Sequence, residues 1–141
     1  MIEVPKTALR LGTSRDLQNI STVFAAEVTA IVDLGIEEPI PPLPRQTNYC
    51  RFHIADDGSN SDQQLVMAVT TIRSLLDAGH TVLLCCAAGL SRSIAIGAVV
   101  VSGLRGRSPD ECLKEIAQLK RTDVNPQLWN QLRNFACLDK G

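Results

Sequence analysis

Apolar positions along the chain follow two periods, and polar turn residues separate them. Leu9-Arg10-Leu11-Gly12 reads as a short first strand. Ser14 can cap a helix in which Leu17, Ile20 and Phe24 recur at helical spacing. Thr29-Ala30-Ile31-Val32-Asp33-Leu34 is an apolar run of strand length, and Tyr49 to Ile54 reads as another. Between them Pro39, Pro41, Pro42 and Pro44 make Gly35 to Asn48 a loop, either a surface connection or one wall of a cleft. After a polar turn from Asp56 to Asn60, Ser61-Asp62-Gln63-Gln64 has capping-box form. The helix it opens carries Leu65, Val69, Ile72 and Leu76 on one face and stops at Gly79.

Val82 to Cys85 reads as a fourth strand, and Ser93 to Val101 as a buried helix. Ser108-Pro109-Asp110-Glu111 is a second capping box, with Pro at the first helical position. Its helix is expected to bury Cys112, Ile116 and Leu119. Asn125-Pro126 opens a last helix with Leu128, Leu132 and Phe135 on one face. Strands alternate with helices and helices finish the chain. The expected fold is α/β, a short, mostly parallel central sheet wrapped by helices, in a single domain over residues 1–141.

Composition narrows the function classes. A formal charge of −1 gives no field that gathers nucleic acid or a membrane surface, so neither is an expected partner. Five cysteines, two of them adjacent, do not suit a disulfide framework. No Cys-x-x-Cys or His cluster offers a zinc site. Met1 to Arg10 lacks the apolar core of a signal peptide. The apolar stretch from Thr81 to Val101 is long enough to suggest a membrane span, but Arg92 near its middle argues against one. A soluble protein of a reducing, cytoplasmic compartment is expected.

The candidate chemistry lies in that stretch. Cys86-Ala87-Ala88-Gly89-Leu90-Ser91-Arg92-Ser93 joins the fourth strand to the buried helix. A strand, a Gly-containing loop and a helix aim a helix N-terminus at an anion. Such surroundings also favour a thiolate. Backbone N–H groups from Ala87 to Arg92, through Ala88, Gly89, Leu90 and Ser91, would hold phosphate oxygens. Arg92 would grip two of them bidentately. Attack by Cys86 would give a phosphocysteine, with no metal or cofactor required. Ser93 could hydrogen-bond the sulfur as it leaves, and Ser91 would shape the loop or cap the helix. The leaving oxygen needs a proton, and Asp56 and Asp57 are the acidic candidates beyond a neighbouring strand end. Asp62 reads as a first-turn helix residue, and His53 and His80 as structural or surface groups.

These eight residues resemble the signature loop of the cysteine-dependent protein tyrosine phosphatases, Cys-x5-Arg followed by Ser or Thr. The Gly-x-Ser-Arg-Ser form is similar to the dual-specificity branch. Leu9 to Thr13 resembles that branch's opening Leu-x-x-Gly-Ser segment, and Tyr49 to Asp56 its Tyr-x6-Asp segment. Pro126 to Leu132 looks like its closing helix, so the resemblance covers about residues 9–137. It implies Cys86 as nucleophile, Arg92 as phosphate-binding residue, Asp56 rather than Asp57 as general acid and Ser93 as hydrolysis helper. It also implies a compact domain and phosphorylated protein or small phosphate monoester substrates. The sequence departs from the pattern once: Cys85 stands where the family usually has a His that orients the loop and helps lower the nucleophile's pKa. Two other readings are weighed beside it. One is a catalytically weak phosphate-binding module, and the other a sulfurtransferase or arsenate-reductase-like thiol enzyme.

Overall fold

Full burial on both faces selects the middle of the sheet. The computed structural model describes residues 1–138, with side chains to Asn134. β1 (Ile2–Glu3), β2 (Leu9–Thr13), β3 (Ala30–Asp33), β4 (Asn48–Arg51) and β5 (Val82–Cys86) form one sheet in the order β1-β2-β5-β3-β4. All five residues of β5 and all four of β3 are buried, as expected of central parallel strands. β1 pairs antiparallel with β2, and the other pairings are parallel. The expected α/β architecture, with a mostly parallel sheet, is what the chain adopts.

Strand alternation divides the core between two faces. Leu84 and Cys86 of β5 join a large cluster with Leu65, Ile72, Ile96, Ile116 and Leu132. These come from α3 (Asp62–Asp77), α4 (Arg92–Arg105), α5 (Pro109–Leu119) and α6 (Pro126–Leu138). Leu83 and Cys85 point the other way, to a smaller cluster with Leu17, Val23, Val28 and Ile31. That face is covered by α1 (Ser14–Gln18) and α2 (Ile20–Ala25).

The caps explain the helix starts. Ser61 accepts the Gln64 amide at 3.2 Å, and Ser108 accepts the Glu111 amide at 3.2 Å. At the first helix the residue identified from sequence is off by one. Thr13 holds the N-cap position, its amide donating to Asp16 Oδ2 at 2.8 Å, and Ser14 is the first helical residue. That helix also breaks at Asn19, so Leu17 and Val23 are buried while Phe24 lies 36% exposed. Leu119, expected inside, is at the exposed last turn of α5. The Tyr49 strand starts at Asn48 and ends at Arg51. The expected Phe135 contact and residues 139–141 lie outside the described side chains and backbone.

Ten consecutive residues of α4, Ser93 to Ser102, are buried. The helix approaches β2 at Gly97, where an added Cβ would stand 3.0 Å from Leu11 Cδ2. Gly97→Leu is therefore expected to push α4 off the sheet. Overpacking of this kind costs about 1–3 kcal/mol, so thermal unfolding should show a melting temperature several degrees lower. An unchanged melting temperature would mean that the contact is not tight.

Candidate active site

The last residues of three parallel strands meet at one edge. Thr13 pairs in register with Cys86, and Asp33 with Cys85. The chain then turns through Ala87 to Ser91 and enters α4 at Arg92. Gly89 takes φ 69°, the left-handed region, which tightens this turn. Its carbonyl is bound by Lys120 Nζ, and the Leu90 carbonyl by the Asp123 amide at 2.8 Å. Carbonyls engaged by the α5–α6 connection cannot also face an anion at the thiol. The first turn of α4 receives no side-chain cap from Ser91, and uncapped amides at a helix start suit an anion.

Cys86 is 2% exposed, and its Sγ lies 3.3 Å from Ser93 Oγ. Arg92, at the first position of α4, is held by a partner that sequence reading missed. Its Nη1 donates to Leu34 O at 3.0 Å and to Glu37 Oε2 at 3.0 Å, while Nη2 meets Glu37 Oε1. The Arg92 hydrogen bonds hold the Glu37 carboxyl below its ordinary pKa. An anion at Arg92 must therefore take the Nε edge of the fork or displace Glu37. Glu37 belongs to the proline-rich loop, which is thus a wall of the site rather than a bare connection. Arg51 pins the same loop through Gly35 O, at 2.9 Å, and Glu38 O.

Cys85 faces away from Cys86. Its Sγ lies 3.8 Å from Val32 O and 3.8 Å from Asp33 Oδ1. Burial first, and then the Asp33 charge, push its pKa up, so it stays a neutral thiol. Asp33 is 1% exposed and is a second residue sequence reading missed. It accepts from the Gly35 amide at 2.8 Å and from Tyr49 Oη at 2.5 Å, with Arg51 Nε at 3.8 Å. Burial and this contact raise the pKa of Tyr49. The place of the expected family His is therefore filled by a thiol anchored to a buried carboxylate beneath the loop.

The two acidic candidates separate by their contacts. Asp57 Oδ1 accepts from the Ser59 amide at 2.8 Å and Ser59 Oγ at 2.5 Å, and these bonds lower its pKa. It closes its own turn. Asp56 reaches the loop instead, its Oδ1 accepting from Ser91 Oγ at 2.5 Å. Asn60 fixes the backbone before it, accepting from the Ala55 amide at 2.8 Å and donating to Ala55 O at 3.0 Å. His80 binds Thr29 at the opposite end of the strands, and His53 is exposed, so neither histidine joins the site.

Among the described residues, no group of three or more His, Cys, Asp or Glu side chains could hold a metal ion, and the described cysteines are free. No described helix is long and apolar enough to cross a membrane.

No protein-family model and no curated protein sequence matches the chain. Solved structures do. Human DUSP28 superposes with a TM-score of 0.84 at 23% identity, covering 95% of this chain and 94% of that one. DUSP15 gives 0.82 at 24% identity, covering 95% and 86%. A human tyrosine phosphatase-like serine/threonine/tyrosine-interacting protein gives 0.80 at 20% identity, covering 95% and 94%. The chain has the fold of the dual-specificity branch of the cysteine-dependent protein tyrosine phosphatases.

Proposed function

We propose that this protein is a metal-independent phosphatase that hydrolyses phosphate monoesters, phosphotyrosine first among them, through a phosphocysteine. One observation carries the reading: Cys86 Sγ sits 3.3 Å from Ser93 Oγ at the first turn of α4, the turn that begins with Arg92. In this reading a dianionic phosphate is held against the loop amides from Ala87 to Arg92. Cys86 attacks phosphorus as its thiolate while the P–O ester bond breaks, and Arg92 follows the charge on the equatorial oxygens. Asp56 gives its proton to the leaving oxygen. Water then attacks phosphorus, Asp56 takes a proton back, and the P–S bond breaks with Ser93 donating to the departing sulfur. The products are an alcohol or phenol and inorganic phosphate. In this reading the substrate is a phosphoprotein or a small monoester, and the compartment is cytoplasmic and reducing, which keeps Cys86 a free thiol.

The fold alone does not decide activity, since one neighbour bears the name phosphatase-like. Hydrolysis of an aryl phosphate with a chelator present tests the reading. Turnover should persist, and Cys86→Ser should abolish it. A folded wild type with no turnover between about pH 5 and 8, the range in which such acid and base groups work, would overturn the enzyme reading. Phosphate binding in that protein would identify a binding module.

The acid assignment has its own test. Asp56→Ala should slow hydrolysis of phenyl phosphate by about 10²–10⁴-fold, the usual contribution of a general acid. Asp57→Ala should change it little. Equal losses, or the reverse order, would move the assignment.

A further inference from the structure

Ser91 occupies the N-cap position of α4, where a Ser hydroxyl ordinarily accepts an amide of the first turn. Here it does not. The residue takes φ −131° and ψ −75°, and its side chain makes no capping hydrogen bond. Its backbone still starts the helix, Ser91 O accepting the Ala95 amide at 2.8 Å. Of the two roles expected from sequence, loop-shaping and helix-capping, the second is therefore absent. The hydroxyl has gone elsewhere, although Ser91 is only 8% exposed.

Two bonds define where. The Asn125 amide donates to Ser91 Oγ at 2.9 Å, and Ser91 Oγ donates to Asp56 Oδ1 at 2.5 Å. Asn125 is itself fixed as the cap of α6, its Oδ1 accepting from Gln127 N at 2.9 Å and Leu128 N at 3.1 Å. A hydroxyl has one proton. With a backbone amide pointing at its oxygen, that proton is directed to Asp56.

We propose that Ser91 is the positioning residue of the general acid. It ties Asp56 Oδ1 to the phosphate loop and to the start of α6, so the transferable proton is carried on Oδ2, toward the leaving oxygen. It also leaves the first-turn amides of α4 uncapped for phosphate. The proposal rests on the reading of Asp56 as the acid. The chemistry is one of orientation: an acid fixed on the same loop that holds the phosphorus keeps its distance from the leaving oxygen as the substrate changes.

Leaving-group dependence tests it. A dinitrophenolate leaves without a proton, whereas a phenolate needs one. Ser91→Ala should lose about 10-fold or more on phenyl phosphate, the effect expected for a lost charge-assisted hydrogen bond. It should change little on 2,4-dinitrophenyl phosphate. Inhibition by inorganic phosphate, which reads the shape of the loop, should be unchanged. Asp56→Asn should show the same pattern more strongly, and the double variant should be no slower than Asp56→Asn. Ser91→Thr, which keeps the hydroxyl, should restore rates on phenyl phosphate. Should Ser91→Ala fail to fold, Ser91→Cys carries the same comparison with a weak donor in place of a strong one. Equal loss on both esters, or none on phenyl phosphate while Asp56→Asn keeps its leaving-group dependence, would overturn the role of Ser91 alone. Asp56→Asn without leaving-group dependence would overturn the acid reading and the proposal with it.

Discussion

β5 is hydrogen-bonded along both edges by parallel partners, β2 on one side and β3 on the other. A one-residue slip would break two ladders and exchange the faces of every side chain. Its register is therefore fixed from both sides, and with it the position of Cys86 as the strand's last residue. The loop begins where this strand ends, and α4 begins where the loop ends. Packing of α4 against β2 at Gly97 sets the height of its first turn above the sheet edge. The distance between the thiol and the helix start is thus a consequence of core packing, reached before any side chain of the loop is considered.

The same alternation gives two neighbouring thiols opposite roles. Cys86 faces the cluster shared with α4, and Cys85 faces the cluster under α1 and α2. Behind the loop, Asp33 would be a costly buried charge without partners. An amide, a phenol and a guanidinium supply them. The phenol comes from Tyr49 and the guanidinium from Arg51, both on β4, so the carboxylate also fastens that edge strand to β3. In front of the loop, Glu37 balances Arg92. Besides Asp56, the site has one carboxylate behind the sheet edge, beside Arg51, and another at the Arg92 guanidinium.

The parts legible in the sequence were those written in local spacing. The strand–loop–helix around Cys86, the caps at Ser61 and Ser108 and the alternating order of elements depend on neighbours within a few residues, and the chain adopts them. What was not legible depends on distant partners. Glu37 meets Arg92 across 55 residues of chain, and Lys120 reaches Gly89 across 31. Neither pairing has a spacing that sequence could display. β1, of two residues, is too short to carry a period. Phe24 and Leu119 fit the helical period and yet are exposed, because one follows the break at Asn19 and the other ends its helix.

Ser91 was open between loop-shaping and helix-capping in the sequence, and its hydroxyl does not cap the helix. A Ser before a helix is worth about 0.5–2 kcal/mol when its hydroxyl satisfies a first-turn amide. α4 forgoes that contribution and remains a helix because ten consecutive buried residues hold it against the sheet and the neighbouring helices. A surface helix of the same length, stabilised mainly by its ends, could not give up its cap as cheaply. Burial of α4 therefore does more than fill the core. It leaves the amides at its start without a side-chain cap and frees the hydroxyl before them to hold the Asp56 carboxylate.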